Sequence, residues 1–119
     1  MSTPESFGKH YLVDLMDCDP EILKSVEKVR EVFVRAAKDC GATVIDDLFH
    51  QYDPFGVSGV VLIAESHLAV HTWPENSYAG VDIFTCGEEM SPEIAIEILA
   101  KEFQAKRVDT RLQHRGRLE

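Results

Sequence analysis

From Val57 to Ala64 the chain is a near-continuous apolar run rich in β-branched residues, and the pattern resumes from Leu68 to Thr72 after a break at Glu65-Ser66. Runs of this length and composition read as buried strands. A connection this short lets the two strands pair antiparallel and leaves no room for the crossover that a parallel pair needs. The middle of the chain is therefore expected to be a hairpin, with the other elements arranged around it. His10–Asp17 alternates and reads as a first strand, Thr43–Tyr52 as a second, Tyr78–Cys86 as a further one and Arg107–Leu112 as the last. Asp53-Pro54-Phe55-Gly56 has the residues of a turn.

Two helix openings punctuate these strands. At Asp19-Pro20-Glu21, Asp19 can cap, Pro20 suits the first helical position and Glu21 favours the positive end of the helix. Ile22, Val26, Val29, Phe33 and Ala36 then recur at helical spacing, and Gly41 is the stop signal. Ser91-Pro92-Glu93 opens a second helix that runs to about Gln104. The two openings match in form, either as the trace of a duplication or as two copies of a common helix start. The ends, Met1–Phe7 and Gln113–Glu119, are expected to be loose. The elements predict an α+β fold in one domain spanning residues 1–119. It is a two-layer α/β sandwich, an antiparallel sheet with two main helices on one face. The other sheet face carries more apolar surface than a monomer leaves bare, so part of it is expected to be buried in a homodimer.

Composition narrows the function classes. The chain has 119 residues, of which 45% are hydrophobic, enough for one core. A formal net charge of −9 argues against nucleic acid and against an anionic membrane as partner. Cys18, Cys40 and Cys86 are an odd count without zinc-finger or CxxC spacing, which fits a reducing, cytoplasmic location. No apolar run approaches membrane-spanning length.

Glu65, Ser66, His67, His71, Trp73 and Glu75 fall within the twelve positions Ala64–Glu75. A serine hydroxyl can attack the carbonyl just before it and turn that amide into an ester. A nearby imidazole can then remove the serine α-proton and break the chain by β-elimination. Read this way, Ser66 is the precursor of a pyruvoyl group, whose ketone can form a Schiff base with a substrate amine. Read plainly, it is a turn serine. His71 could fold back to the junction as the base, or be an ordinary strand histidine. His67, next to Ser66, should point to the opposite strand face and reads as structural or supporting. An H-x-x-x-H metal pair of His67 and His71 needs a helix, which the β-branched flanks oppose, so no metal is expected. Cys86 ends a strand beside Gly87, where a thiol can be exposed and donate a proton; Cys18 and Cys40 read as packing residues. Ser58, flanked by Gly56 and Gly59, could steady an intermediate at the junction, or sit in a bulge. Tyr52, Phe55 and Trp73 are core aromatics or faces for a cation, the latter worth about 0.5–2 kcal/mol. Glu75 could face ribose hydroxyls or a cationic substrate, or simply be solvated.

Together, Gly56-Val57-Ser58-Gly59-Val60-Val61, Glu65-Ser66-His67, His71-Thr72-Trp73-Pro74-Glu75 and Asp82-Ile83-Phe84-Thr85-Cys86-Gly87 strongly resemble the short bacterial and archaeal S-adenosylmethionine decarboxylases. The resemblance runs from Gly8-Lys9-His10 to Arg115-Gly116-Arg117. It implies cleavage between Glu65 and Ser66, giving a β chain of residues 1–65 and an α chain of residues 66–119 that begins with a pyruvoyl group made from Ser66. It implies that Glu65 is the cleavage-site residue, His71 the processing base, Ser58 an aid to processing and Cys86 the catalytic proton donor. Tyr52 and Trp73 would lie near the adenosyl group of the substrate and Glu75 against its ribose. The resemblance further implies a homodimer of αβ protomers with active sites near the interface. The substrate would be S-adenosylmethionine and the product the aminopropyl donor for spermidine. Tyr52, Asn76-Ser77 and Gly80 depart from the residues usual in the family, all near the expected pocket. A pyruvoyl decarboxylase of a basic amino acid, ornithine or arginine, is the nearest alternative; a non-catalytic homologue is another.

Overall fold

The computed structural model describes residues 6–117. In chain order the elements are β1 (Ser6–Met16), α1 (Pro20–Leu23), α2 (Val26–Asp39), β2 (Val44–Gln51), β3 (Val57–Ile63), β4 (Ser66–Trp73), a 3-10 turn (Pro74–Asn76), β5 (Tyr78–Thr85), α3 (Pro92–Glu102) and β6 (Arg107–Arg117). The strands form one sheet in the order β2-β3-β4-β5-β1-β6, with every pair antiparallel. The predicted central hairpin is β3–β4, in register from Ser58↔His71 to Ile63↔Ser66. The α+β sandwich expected from the sequence is the architecture found.

Alternation within each strand divides the sheet into two faces. Val13 and Leu15 of β1, Val61 and Ile63 of β3, Leu68 and Val70 of β4, and Val81 and Ile83 of β5 are buried beneath the helices. They meet Val29, Phe33 and Ala36 of α2, Ala95 and Leu99 of α3, and Phe103 at the C-cap of α3. Phe33 lies between Phe49 and Phe103, with ring centroids 6.3 and 6.0 Å away. Truncating such a fully buried ring to alanine costs about 3–5 kcal/mol. Among the described residues the other face carries no helix. Leu12, Leu48, Val60, Leu62 and Trp73 stand exposed on it.

Three expectations are corrected. The first helix is two, because Ser25 takes an extended conformation and caps α2 by accepting a hydrogen bond from the Lys28 amide at 3.2 Å. The apolar spacing runs through the break, so periodicity alone does not reveal it. The interruption leaves the Leu23 carbonyl free to accept from buried Thr72 Oγ1 at 3.0 Å, while Thr72 Oγ1 accepts from the Val57 amide at 2.9 Å. The ends are also more ordered than predicted: Ser6 pairs with Arg117 and Gly8 with Arg115. The sequence Arg107–Arg117 lacks a hydrophobic face, so its strand is held by the backbone ladder to β1 rather than by packing. Met1–Glu5 and residues 118–119, also expected to be loose, lie outside the described residues. Finally, β4 begins at Ser66 rather than Leu68. Among the described residues no helix is long and apolar enough to cross a membrane.

Candidate active site

The Ala64-Glu65 turn between β3 and β4 is tied down from both sides. The Ala64 amide donates to the Thr43 carbonyl at 2.9 Å, and the Thr43 amide donates to Glu65 Oε1 at 3.1 Å. The Glu65 carbonyl oxygen accepts two hydrogen bonds, from the Cys86 amide at 3.1 Å and from Cys86 Sγ at 3.2 Å. Cys86 reaches this position because β5 ends opposite the start of β4, with Thr85 across from Ser66. Two donors converging on one carbonyl polarise it and stabilise negative charge there if the carbon is attacked. The Ser66 hydroxyl belongs to the next residue in the chain. Ser66 has φ +149°, a conformation L side chains rarely adopt, so the peptide unit at the junction carries backbone strain.

That strain overturns the expected orientation of His67. In regular extended chain, Ser66 and His67 point to opposite faces; here Ser66 Oγ lies 3.3 Å from His67 Nδ1. His71 does not fold back to the junction. It continues up β4 and pairs with Ser58 of β3, Oγ to Nδ1 2.8 Å, where the register sets them opposite one another. His71 is five positions beyond Ser66 along the strand, about 16 Å at roughly 3.3 Å per residue. Ser58 and His71 are thus brought together, and Ser66, Glu65 and Cys86 are brought together, but the two groups stand at opposite ends of β4.

The remaining site residues gather at the His71 end. Trp73 stacks on Tyr78, with centroids 5.2 Å apart and planes at 25°, and lies 6.3 Å from the His71 ring. Tyr78 donates from its hydroxyl to Asp14 at 2.5 Å; that hydrogen bond, then burial, pushes its pKa up to about 12. Gly80 is beside them. A Cβ there would sit 3.0 Å from the Tyr78 hydroxyl and 3.8 Å from the Trp73 ring, so this departure from the family pattern makes room for the stacked pair. Tyr52 follows β2 at the same end, edge-on to His50 at 4.6 Å, and is half exposed. Glu75 is exposed in the 3-10 turn after Trp73. Phe55 lies farther out, with Lys24 Nζ 5.9 Å from its ring.

Cys86 is exposed, whereas Cys18 and Cys40 are buried, and burial pushes the Cys18 thiol up to about 11 and raises Cys40 as well. His67 and His71 stand about 13 Å apart along β4 by strand rise, and each ring is engaged elsewhere, His71 by Ser58 and His67 by Ser66. Thr43 and the Cys86 amide act through the backbone, and backbone donors carry no signal in side-chain identity. The pair His10 Nε2–Asp82 Oδ1, 2.9 Å, was also not read from the sequence; its only signal is the His10 of Gly8-Lys9-His10.

A six-stranded antiparallel sheet with its helices on one face, and a hairpin whose turn carbonyl accepts from Cys86 beside a serine of positive φ, define an α+β sandwich. Residues 9–116 match the model of the S-adenosylmethionine decarboxylase family, and the chain belongs to that family. It is 52% identical over 101 residues to the S-adenosylmethionine decarboxylase proenzyme of Thermodesulfovibrio yellowstonii, covering 85% of this chain and 75% of that one. It is 46% identical over 113 residues to the proenzyme of the same name from Thermotoga maritima, covering 95% and 87%. The crystal structure of the adenosylmethionine decarboxylase from Aquifex aeolicus superposes with a TM-score of 0.89 at 36% identity, covering 98% of this chain and 96% of that one.

Proposed function

We propose that this chain is a self-processing, pyruvoyl-dependent decarboxylase of S-adenosylmethionine that supplies the aminopropyl donor for spermidine in the cytoplasm. The observation that carries the reading is the Glu65-Ser66 junction: a strained serine next to a carbonyl that accepts from both the amide and the thiol of Cys86. In the processing reaction Ser66 Oγ bonds to the Glu65 carbonyl carbon and the peptide nitrogen leaves, so an ester replaces the amide. His71 then takes the Ser66 α-proton, the Ser66 Cβ–Oγ bond breaks, and Glu65 departs as a carboxylate that keeps that oxygen. Water completes the conversion and ammonia is released.

The chemistry of the junction fits a pyruvoyl group, because the residue that would lose its amine is the serine that begins β4 directly after the hairpin turn. Once formed, that group supplies a ketone that draws electrons from a bound amine as carboxylate is lost. On this reading the exposed Cys86 thiol, which donates to the Glu65 carbonyl, would return a proton to the substrate α-carbon. Trp73 and Tyr52 offer aromatic faces to an adenine or a sulfonium, and Glu75 offers a carboxylate to the ribose.

The separation of about 16 Å between Ser66 and His71 supports a further element of the reading. A base that far along the same strand does not reach the serine α-proton. Two copies packed bare face to bare face would bring the Ser58–His71 pair of one against the Ser66 junction of the other. They would also bury Leu12, Leu48, Val60 and Leu62, which a lone chain leaves exposed. The active unit on this reading is a homodimer of αβ protomers.

The test is the denatured intact mass of the purified protein, followed by decarboxylation assays. Fragments matching residues 1–65 and 66–119, the second lighter by one ammonia than a serine-started chain, are expected, with CO₂ released from S-adenosylmethionine. Release from ornithine or arginine instead would reassign the substrate. An uncut chain that stays uncut on incubation would overturn the reading.

A further inference from the structure

Processing needs two bases, and the side chain against the Ser66 hydroxyl is His67, not His71. We infer that His67 is the catalytic base of the first step, the shift of the Glu65 acyl group from nitrogen to Ser66 Oγ, an inference that rests on the processing reading above. The contact is direct: Ser66 Oγ is 3.3 Å from His67 Nδ1. With the ring as its Nε2–H tautomer, Nδ1 accepts from the hydroxyl.

The ring is also held. His67 lies opposite Phe84 in the β4–β5 register, and the two rings stack with centroids 5.7 Å apart and planes at 19°. Phe84 is itself fixed. His10 packs against it at 5.5 Å, and the Arg115 guanidinium carbon lies 5.8 Å from its centroid. A Cβ at position 8 would fall 2.6 Å from the Phe84 ring, so the ring occupies the space Gly8 leaves. His10 is oriented in turn by Asp82 at 2.9 Å. The base thus rests on an aromatic platform built from three strands, and a general base works best when its nitrogen is held against the proton it takes.

The step balances within these residues. The hydroxyl proton passes to His67 Nδ1 as Oγ bonds to the Glu65 carbonyl carbon. The negative charge on the Glu65 oxygen is taken by the Cys86 amide and thiol. Collapse expels the Ser66 nitrogen, which receives the proton from His67. An amide has become an ester, His67 is neutral again and nothing is consumed. The labour is then divided between the two imidazoles: His67 acts on the hydroxyl within its own chain, and His71 acts afterwards on the α-proton.

Order of action is testable because the ester is cut by hydroxylamine whereas the amide is not. His71→Ala is expected to stop after the shift, so hydroxylamine should cleave it between Glu65 and Ser66. His67→Phe keeps an aromatic ring on Phe84 and removes only the nitrogens. In the double variant His67→Phe/His71→Ala, hydroxylamine cleavage should fall by about 10²–10⁴-fold, the usual worth of a general base. His67→Ala combined with His71→Ala should fall similarly and be partly rescued by added imidazole. Circular dichroism melts establish that each variant is folded. If the folded His67→Phe/His71→Ala variant is cut as fast as His71→Ala, His67 is only a stacking residue and the inference is overturned. If neither the parent protein nor His71→Ala is ever cut at this bond, with or without hydroxylamine, the processing reading itself falls and takes this one with it.

Discussion

The two ends of β4 are built on different terms. At the Ser66 end everything needed to activate one carbonyl is inside a single chain: a strained φ of +149°, two donors from Cys86 and an imidazole 3.3 Å from the hydroxyl. At the His71 end the Ser58–His71 pair, Trp73, Tyr78 and Tyr52 form an aromatic surface, about 16 Å along the strand from Ser66. A hairpin can offer its turn carbonyl to the end of the next strand, here to Cys86 after β5, because β-strand pairing sets neighbours about 5 Å apart. It cannot fold its far end back on itself. The two ends are thus held apart on one strand, and the proposed homodimer is the reading in which they meet.

The sharpest way to break this contrast is to separate the two ends genetically. Ser66→Ala chains lack the nucleophile and His71→Ala chains lack the second base, so neither should cleave alone. Co-expressed, they should form mixed pairs in which the His71→Ala chain is cut by the histidine of its neighbour. The intact masses would then show fragments 1–65 and 66–119 from that chain only. Absence of any cut in the mixture would mean that His71 serves its own chain or does not act.

A smaller effect is expected at Cys86, which serves the Ser66 end twice. Cys86→Ala keeps the backbone N–H on the Glu65 carbonyl and loses the thiol. Cleavage should slow but proceed, whereas turnover of S-adenosylmethionine should fall by about 10²–10⁴-fold, the range for loss of a proton-transferring group. Unchanged turnover in the cleaved variant would remove Cys86 from the chemistry.

The smallest effect belongs to the His71 end. Tyr78 titrates higher when folded, about 12 against an ordinary 10.0, chiefly because its hydroxyl donates to Asp14. The protonated phenol is the form the fold favours. Its contribution to stability is therefore full below pH 10 and is lost as pH rises from about 10 to 12. Tyr78→Phe should flatten this part of the stability curve, read by urea midpoints across that range. An identical decline in the variant would show that the Asp14 hydrogen bond does not couple to folding.

Much of this molecule was legible in one dimension. The β3–β4 hairpin and both helix starts follow from composition and spacing, and Glu65, Ser66, His71 and Cys86 stand out as candidates through the family resemblance. The misread parts have a common cause. The break at Ser25 depends on one side chain reaching the Lys28 amide, against an apolar rhythm that runs straight through it. The strand expected over Arg107–Leu112 runs on to Arg117 because β1 offers it a ladder. His67 was read as facing away from Ser66 because that is what regular strand geometry requires, and a single positive φ reverses it.

The amino-acid sequence by itself therefore determined the inventory: which groups can attack, accept or donate, and which segments must pair locally. Only the tertiary structure decided which of them meet. Cys86 is 21 positions from Glu65 yet bonds to it, while His71, five positions from Ser66 on the same strand, does not reach it. The reason is that register across a sheet joins residues distant in the chain at hydrogen-bond range, whereas extension along a strand carries near neighbours apart by about 3.3 Å each.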